Sequence, residues 1–254
     1  MTRGVSKAII IFGTVLLIAG FTMAGPPADM WKPGELWLAA EYGTSHRLVP
    51  GDDNFSTGDG TLPSRSNRVF LKAGYEVYSW LDLYALVGLA DLQISSGDPT
   101  FNDHASDMTL AYGGGVKTGY YYLPWNIGSS LAATVIGFSS EGEVANPIRR
   151  VVNDYNWYEI QLEWLVSYPQ QSLTPFLGIE KTYLTGTHRV DDYFLGRLQP
   201  RPDDSDRYSD PDQGFRPLAG LSVHVPGGYS VYLKASGLKS DDFYLGFGIC
   251  QGSK

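Results

Sequence analysis

The feature that most constrains this chain is an alternation of apolar side chains with polar or small ones, which recurs in runs of about ten residues. In the run 157–168 every even position is apolar or aromatic, from Tyr158 to Tyr168, whereas the odd positions include Glu159 and Glu163. Successive side chains of a β-strand point to opposite faces, so a two-residue period predicts strands with one apolar face. Comparable runs occupy 35–42, 68–78, 110–120, 215–224, 229–236 and 242–249, and less regular ones occupy 81–94, 127–139 and 174–187. The sequence therefore predicts an all-β chain of about ten strands, with eight or twelve as the alternatives.

The connections between these runs alternate between short and long. Short ones span 79–80, 123–126, 169–172 and 226–228, and long polar ones lie near 45–66, 95–107, 140–153 and 188–213. Outer-membrane β-barrels have short turns at one end, long loops at the other and strands of about ten residues. We therefore predict an antiparallel transmembrane β-barrel over 35–250. A soluble sandwich or lipocalin-like barrel would share the alternation, but the polar faces here carry few charges and many Gly, Ala and Ser residues, which favours the membrane barrel.

The N-terminal segment has the organisation of a secretory signal peptide. Arg3 and Lys7 precede an uncharged apolar run at 8–21, and small residues lead to Ala24. This arrangement predicts export and removal of 1–24, with an uncleaved anchor as the alternative. Cleavage removes two basic residues and no acidic ones, so the formal net charge changes from -8 to -10. We expect 25–34 to be a periplasmic segment that precedes the barrel.

Composition excludes several other classes of protein. Aromatic residues make up 13% of the chain and charged residues only 18%, which excludes a disordered protein. A single cysteine excludes a disulfide scaffold, and the negative net charge argues against a nucleic-acid partner. Many aromatic residues lie at the ends of the predicted strands, as expected for the interfacial girdles of a membrane barrel. Those assigned to the girdle beside the short turns are Tyr75, Tyr78, Trp80, Tyr120, Tyr122, Trp125, Tyr168 and Tyr229.

In this architecture the chain resembles the small outer-membrane β-barrel proteins of Gram-negative bacteria, the broad OmpA-like and opacity-protein class. The resemblance covers 35–249 and rests on the arrangement of strands and loops, not on a specific motif. The last predicted strand, 244–249, is similar to the C-terminal signal of that class, except that the usual terminal aromatic is absent and 250–254 follow. The resemblance implies a location in the outer membrane, contact with its lipid, and insertion by the barrel-assembly machinery.

If the apolar faces contact lipid, ten charged side chains point into the lumen. They are Glu41, Glu76, Glu159, Glu163 and Glu180 on the acidic side, and Arg68, Lys72, Lys117, Arg216 and Lys234 on the basic side. Unpaired charges in a narrow lumen are costly, so a balanced set predicts ion pairs that fill the barrel. An ion-selective pore is expected to show an excess of one sign, and open channels belong to barrels of about 16 strands. We therefore predict a polar, ion-paired lumen, with a small gated pore as the alternative.

Two features fall outside this pattern. Lys181 shares the predicted lipid face with Leu177 and Ile179, a conflict that either a β-bulge or a snorkelling side chain would relieve. The acidic excess is concentrated in 188–213, here called the acidic segment, whose aspartates are Asp191, Asp192, Asp203, Asp204, Asp206, Asp210 and Asp212. Their spacing does not match a calcium-binding loop. We expect a solvated loop, and the alternative is that it collects divalent cations or a basic ligand.

The sequence shows no convincing catalytic arrangement. Some ten-stranded outer-membrane barrels are proteases that use acidic residues and an Asp–His couple at the external rim. The residue types for such a site occur here as Asp103, His104, His188, Asp191 and Asp192. Two aspartates and a histidine can activate a water molecule, but the spacing differs from that of the protease family. Ser222 and His224 share a strand face, but they are predicted to point into the lumen near a short turn.

We therefore expect a non-enzymatic barrel, without cofactor or metal, that acts as a structural or surface-interaction protein of the outer membrane. A narrow porin for small solutes is the alternative, and a rim-located hydrolase is less favoured.

Overall fold

The computed structural model describes residues 35–50, 61–95, 104–145, 148–198, 205–210, 214–239 and 242–252. These residues form fourteen strands and one short 3-10 turn, Leu123–Trp125. The strands are β1 (Leu36–Pro50), β2 (Thr61–Tyr78), β3 (Leu81–Ala90), β4 (Gln93–Ile94), β5 (His104–Ala105), β6 (Thr109–Tyr122), β7 (Ile127–Ala145), β8 (Arg149–Ser167), β9 (Leu173–Phe194), β10 (Arg197–Leu198), β11 (Ser205–Asp210), β12 (Arg216–Val225), β13 (Tyr229–Lys239) and β14 (Asp242–Gly252). The predicted signal peptide and the segment 25–34 lie outside the described residues.

Ten of these strands form a closed antiparallel ring. Its order is β1, β2, β3, β6, β7, β8, β9, β12, β13 and β14, and β14 pairs with β1 to close it. The short strands add to this ring: β4 pairs with β2 and β5, and β10 and β11 both pair with β9. The predicted all-β antiparallel barrel of about ten strands is confirmed.

The two ends of the barrel differ in their connections. At the end called here the turn end, short connections join β2 to β3, β6 to β7, β8 to β9 and β12 to β13. The turn between β12 and β13 contains Gly227 and Gly228, whose φ angles of 100° and 82° lie in the left-handed region that glycine adopts without strain. At the opposite end, called the loop end, long connections join β1 to β2, β3 to β6 and β9 to β12, whereas only two or three residues join β7 to β8 and β13 to β14.

The outer face of the ring is apolar and its inner face carries charged side chains, which is the reverse of a water-soluble protein. The outward side chains of β8 from Tyr158 to Tyr168 are all apolar or aromatic and are between 37% and 49% exposed. The side chains that alternate with them, including Glu159 and Glu163, are buried inside the ring. Because the strands are long and the period is two, the same inversion repeats around the barrel.

At the loop end the strands continue into ranges that were predicted as loops. The predicted loop ranges were therefore too wide. β7 and β8 stay paired as far as Ala145 and Arg150, β9 runs to Phe194, and β1 and β2 pair until Pro50 meets Thr61. The predicted loops 45–66, 140–153 and 188–213 are therefore partly strand, and β5 begins inside 95–107. The alternation was missed there because beyond the apolar band both faces of a strand can be polar. Among the described residues, no helix is long and apolar enough to span a membrane.

Candidate functional site

The lumen contains a network of buried ion pairs that connects strands across the barrel. Eight of the ten predicted lumen charges form four pairs, and all eight side chains are buried or nearly so. The pairs are Glu41 with Lys72, Glu159 with Arg68, Glu180 with Arg216, and Glu163 with Lys234. Two of them, Glu159 with Arg68 and Glu163 with Lys234, join strands that are not neighbours in the ring, so these two pairs cross the lumen.

Glu159 is the centre of the loop-side part of this network. Its two carboxylate oxygens lie 2.7 Å from Arg68 Nη2 and 3.0 Å from Arg47 Nη1, and it is fully buried. Trp157 and Gln161, on the same strand, also donate to it. Two guanidinium groups and two further donors compensate a carboxylate that burial alone would destabilise.

Glu41 is held by a lysine and two tyrosines. Lys72 Nζ lies 2.7 Å from Oε2, Tyr244 donates to Oε1 at 2.7 Å, and Tyr232 donates to Oε2. The tyrosine rings can reach Glu41 because they pack directly against glycine backbone. A side chain at Gly248 would clash, since its Cβ would lie 2.5 Å from Tyr232 Cζ. The many glycines therefore give the lumen room for inward aromatic rings.

A third group of charges links β9, β12, β13 and β14. Arg216 pairs with Glu180, lies 2.8 Å from Asp242 and donates to Thr182 at 2.7 Å. Lys234 pairs with Glu163 on one side and lies 3.8 Å from Glu180 on the other. The shared contacts of Glu180 join two ion pairs into one network.

The lumen is not polar throughout, which corrects the prediction. Level with Glu159 and on its loop side, inward side chains form an apolar layer of twelve buried residues: Val49, Leu62, Phe70, Leu86, Ala90, Leu92, Ile94, Ala111, Ile136, Phe138, Trp157 and Leu184. The sequence pattern did not reveal it, because alternation was interpreted as apolar outside and polar inside. An apolar layer has no need of water, so it closes this part of the lumen.

The turn-side half of the lumen contains a cavity. It offers about 70 Å³ to the centres of water molecules, where one buried water needs roughly 10–15 Å³. Its charged lining residues are Glu41, Lys72, Asp82, Lys117, Glu163 and Lys234, and its aromatic ones are Trp37, Tyr84 and Tyr232. The turn-side half of the lumen therefore has room for water, whereas ion pairs and apolar side chains occupy the described part of the loop side.

The remaining two predicted lumen charges, Glu76 and Lys117, lie at the turn-side mouth on either side of Asp82. In the strand register Glu76 pairs with Asp82, and Asp82 pairs with Lys117. All three are buried inside the ring.

The strand prediction missed several charged lumen residues, among them Arg47 and Asp82. Arg47 was included in the predicted loop 45–66, yet its side chain is 2% exposed and pairs with Glu159. It continues the inward phase of Glu41, Gly43 and Ser45, so extending the alternation by six residues beyond Glu41 would have found it. Asp82 lies in the less regular run 81–94, where no face was assigned.

Both histidines considered for a rim hydrolase contact the ring of Tyr155. The Tyr155 ring lies 4.7 Å from the His104 ring and 4.1 Å from the His188 ring. His104 Nε2 is 2.7 Å from Ser140 Oγ, and His188 Nε2 is 3.1 Å from Asn153 Oδ1. Burial, reinforced by the proximity of His188, lowers the pKa of His104 to about 4. Asp103 lies outside the described residues.

The other candidate groups contact charged or hydroxyl side chains. Asp192 receives two hydrogen bonds from Arg149, at 3.0 and 2.7 Å, and Asp191 pairs with Arg189. His224 contacts Thr174 at 3.0 Å and Ser230 at 2.8 Å, and not Ser222. In the part of the chain that the structure describes, no group of three or more His, Cys, Asp or Glu residues is arranged to hold a metal.

Much of the acidic segment lies outside the described side chains. Asp206 and Asp210 belong to β11, which pairs with β9. Asp203, Asp204 and Asp212 lie outside the described residues.

Lys181 lies on the outer face, where the alternation placed it. The registers of β9 with β8 and with β12 run without a shift, so there is no bulge in this part of the sheet. Its Nζ lies 4.9 Å from the Tyr183 ring centroid and 5.6 Å from that of Phe215. The side chain therefore extends along the outer surface toward aromatic rings at the loop end, as a snorkelling lysine does.

The aromatic residues assigned to the turn-end girdle lie at that end of the barrel. Seven of the eight are between 43% and 70% exposed: Tyr75, Tyr78, Trp80, Tyr120, Tyr122, Trp125 and Tyr168. Tyr229 is half-buried. Two pairs contact each other, with ring centroids 5.6 Å apart for Tyr78 and Trp80 and 5.3 Å apart for Tyr122 and Trp125.

Solved outer-membrane proteins are similar to the chain at very low sequence identity. The outer membrane protease OmpT from Escherichia coli is 11% identical, with 86% of this chain and 93% of that chain covered and a TM-score of 0.43. The translocator domain of the autotransporter NalP from Neisseria meningitidis is 10% identical, with 98% and 96% covered and a TM-score of 0.45. The toluene transporter TbuX from Ralstonia pickettii is 10% identical, with 92% and 95% covered and a TM-score of 0.34. No protein-family model and no curated protein matches the chain.

Proposed function

We propose that this chain is an outer-membrane β-barrel with a closed lumen, which holds its loop-end segments at the cell surface as a structural or surface-interaction protein. The observation that supports this most directly is the filling of the lumen by four buried ion pairs and an apolar layer. A barrel filled in this way is a rigid support for its external segments, including the acidic segment.

The outer face supports the membrane location. On β8 the apolar outward side chains run from Tyr158 to Tyr168. Ten steps of about 3.3 Å, inclined by roughly 40° to the barrel axis, give a band roughly 25 Å high. That is the height of the apolar band of an outer-membrane barrel. Aromatic rings occupy its turn-side edge, and Lys181 extends toward its loop-side edge.

Planar-bilayer conductance tests the closed lumen. The refolded full-length protein is added to a planar bilayer, and a general porin added afterwards to the same bilayer serves as the positive control. We expect no reproducible open-channel steps from the protein, because the apolar layer and the ion pairs leave no continuous water path. Steps of constant size would contradict the closed lumen.

A narrow porin is the second candidate, because a cavity with charged lining residues and room for water occupies the turn-side half of the lumen. If the protein does conduct, Lys72→Ala is expected to change the size of the steps, since Lys72 both lines the cavity and pairs with Glu41. An unchanged step size in that variant would place any conducting path outside this cavity.

A further inference from the structure

The turn-side mouth of the lumen contains two buried carboxylates that face each other across neighbouring strands. Glu76 on β2 pairs in register with Asp82 on β3, and the β2–β3 pairing shifts between Glu76 and Tyr78. Glu76 is 2% exposed and Asp82 is 6% exposed. A β-bulge redirects the side chains beside it, so this irregularity belongs to the geometry that brings the two groups together.

Each of these carboxylates has an oxygen whose charge is not compensated by a hydrogen bond. Among the described residues, Glu76 Oε2 and Asp82 Oδ1 are buried and have no hydrogen-bond partner. A buried acceptor left without a donor is unfavourable, and more so when it is charged. The four carboxylates of the ion-pair network are each compensated, so the mouth differs from the rest of the lumen.

A small void adjoins both side chains. It is lined by Glu76, Ser79, Trp80, Leu81, Asp82, Lys117 and Gly119. It offers about 10 Å³ to the centre of a water-sized particle, close to the roughly 10–15 Å³ that one buried water needs. The void therefore has room for one particle of the size of a water molecule or a bare ion.

The charges around the void are unbalanced. Two carboxylates face one ammonium group, that of Lys117, which is the register partner of Asp82. Glu35 precedes β1 and its carbonyl oxygen accepts the Glu76 amide at 3.1 Å, but its side chain is partly exposed, so water screens its charge and the buried group consists of Glu76, Asp82 and Lys117. A neutral water could donate to both free oxygens but would leave the excess negative charge in place, whereas a monovalent cation removes it.

We propose that Glu76 and Asp82 form a binding site for a monovalent metal cation of the sodium class at the turn-side mouth of the barrel. The cation bridges Glu76 Oε2 and Asp82 Oδ1 and ties β2 to β3 beside their connecting turn. Lys117 limits the site to a single added charge, because a divalent ion would leave the group with excess positive charge. This site is independent of whether the lumen conducts.

Thermal unfolding of the refolded full-length protein in a neutral detergent tests the site. The unfolding midpoint is measured at fixed pH and fixed ionic strength while N-methylglucamine chloride is replaced by sodium chloride. We expect the midpoint to rise by a few degrees and then saturate, since a ligand that binds only the folded state stabilises it by mass action. Glu76→Gln and, separately, Asp82→Asn should abolish the sodium-dependent rise. Asp191→Asn, at a carboxylate of the loop end, should retain it.

The other outcomes each contradict the proposal in a different way. If wild type and both variants respond equally to sodium, the ion acts elsewhere. A response to magnesium but not to sodium would overturn the single-charge assignment. A midpoint that changes with pH but not with sodium would show that the two carboxylates share a proton instead. Insensitivity to both would indicate a bound water only. Should Glu76→Gln fail to refold, Asp82→Asn alone decides, because it removes one of the two bridging oxygens.

Discussion

At the scale of single residues, Glu159 shows how a charge becomes tolerable inside a barrel. Its carboxylate is fully buried, and the donors around it come from β1, β2 and its own strand. Removing the negative charge would leave two guanidinium groups, those of Arg47 and Arg68, buried without a counter-ion. Replacing Glu159 is therefore costly mainly because it leaves two buried guanidinium charges uncompensated.

We predict that Glu159→Gln lowers the free energy of unfolding by about 3–5 kcal/mol, the cost of breaking a buried pair on one side. Urea titration in detergent micelles, followed by tryptophan fluorescence, measures this change. Glu143→Gln is the matched control, because Glu143 pairs with Arg150 while both side chains are nearly half exposed, and such pairs contribute little. Equal effects for the two variants would contradict a special role for the buried network.

His104 makes the loop end sensitive to acid. Its pKa is lowered to about 4 in the folded protein from an ordinary value of 6.5, so between these values the unfolded state binds more protons. We therefore predict that stability is fully present above pH 6.5 and falls as the pH approaches 4, by about 3 kcal/mol at most. Amide hydrogen exchange of β4 and β5 at pH 7.5 and pH 5 measures the change.

His104→Gln provides the control for this pH dependence. Glutamine retains a polar group toward Ser140 but does not titrate, so the decrease in protection factor at pH 5, measured relative to the intrinsic exchange rate at each pH, should be lost in this variant. If His104→Gln keeps the full pH dependence, another group controls the opening of the loop end.

At the scale of elements, β9 combines a lipid-facing surface with an extension beyond it. From Leu173 to Tyr183 its outward side chains are apolar or aromatic except Lys181, and Leu177 in their middle is 67% exposed. Beyond Tyr183 the outward positions are Thr185, Thr187 and Arg189, so the strand leaves the apolar band while it remains paired with β8.

Because β9 is divided in this way, we expect a positive charge on its outer face to be costly at position 177 and to cost little at position 181. Leu177→Arg should lower the free energy of unfolding by about 2–4 kcal/mol, as a cation does at the bilayer midplane. Lys181→Ala should change it by about 1 kcal/mol or less, as expected near the interface. Refolding into lipid vesicles, followed by the difference in gel migration between folded and boiled samples, measures both. Similar effects at the two positions would contradict this placement of the band.

The alternation of apolar and polar residues predicted the strands and their outer faces well where one face contacts lipid, and poorly beyond that band. In β8 the apolar positions from Tyr158 to Tyr168 indicated both the strand and its outer face. On the loop side of that band Asp154 and Asn156 also point outward, so the pattern lost its contrast and the strand was predicted to start too late. The ion-pair partners of Glu159 were not predictable, because they depend on the stagger of strands around the ring, which local sequence does not contain.

At the scale of the whole molecule, the lumen has two closures of different chemistry in series. The Glu159–Arg68 and Glu163–Lys234 ion pairs cross the barrel, and the apolar layer, which includes Phe138 and Trp157, begins level with Glu159 and extends toward the loop end. A charge network can rearrange around water, whereas a dry apolar layer excludes it. We therefore expect that mutations can remove either closure while the other still blocks the lumen.

We predict that Arg68→Ala alone produces no reproducible conductance, because the apolar layer still closes the lumen. Combining it with Phe138→Ala and Trp157→Ala should produce open-channel steps in a planar bilayer. The double variant Phe138→Ala, Trp157→Ala with Arg68 intact is the control and should conduct less than the triple variant. Full conductance from Arg68→Ala alone would show that the ion pairs are the only effective closure.

The pairing of β14 with β1 also determines how this molecule can be made. The contact joins positions more than 200 residues apart in sequence, such as Trp37 and Gly252, and every other strand of the ring lies between them. Closing so long a loop is slow, because its entropic cost precedes any stabilising contact. Until the last strand arrives, β1 and β13 both present open hydrogen-bonding edges, which invite pairing with another chain. Pairing of β14 with β1 is therefore a late step that completes assembly. A chain that lacks β14 would be an open sheet prone to aggregation, not a smaller barrel.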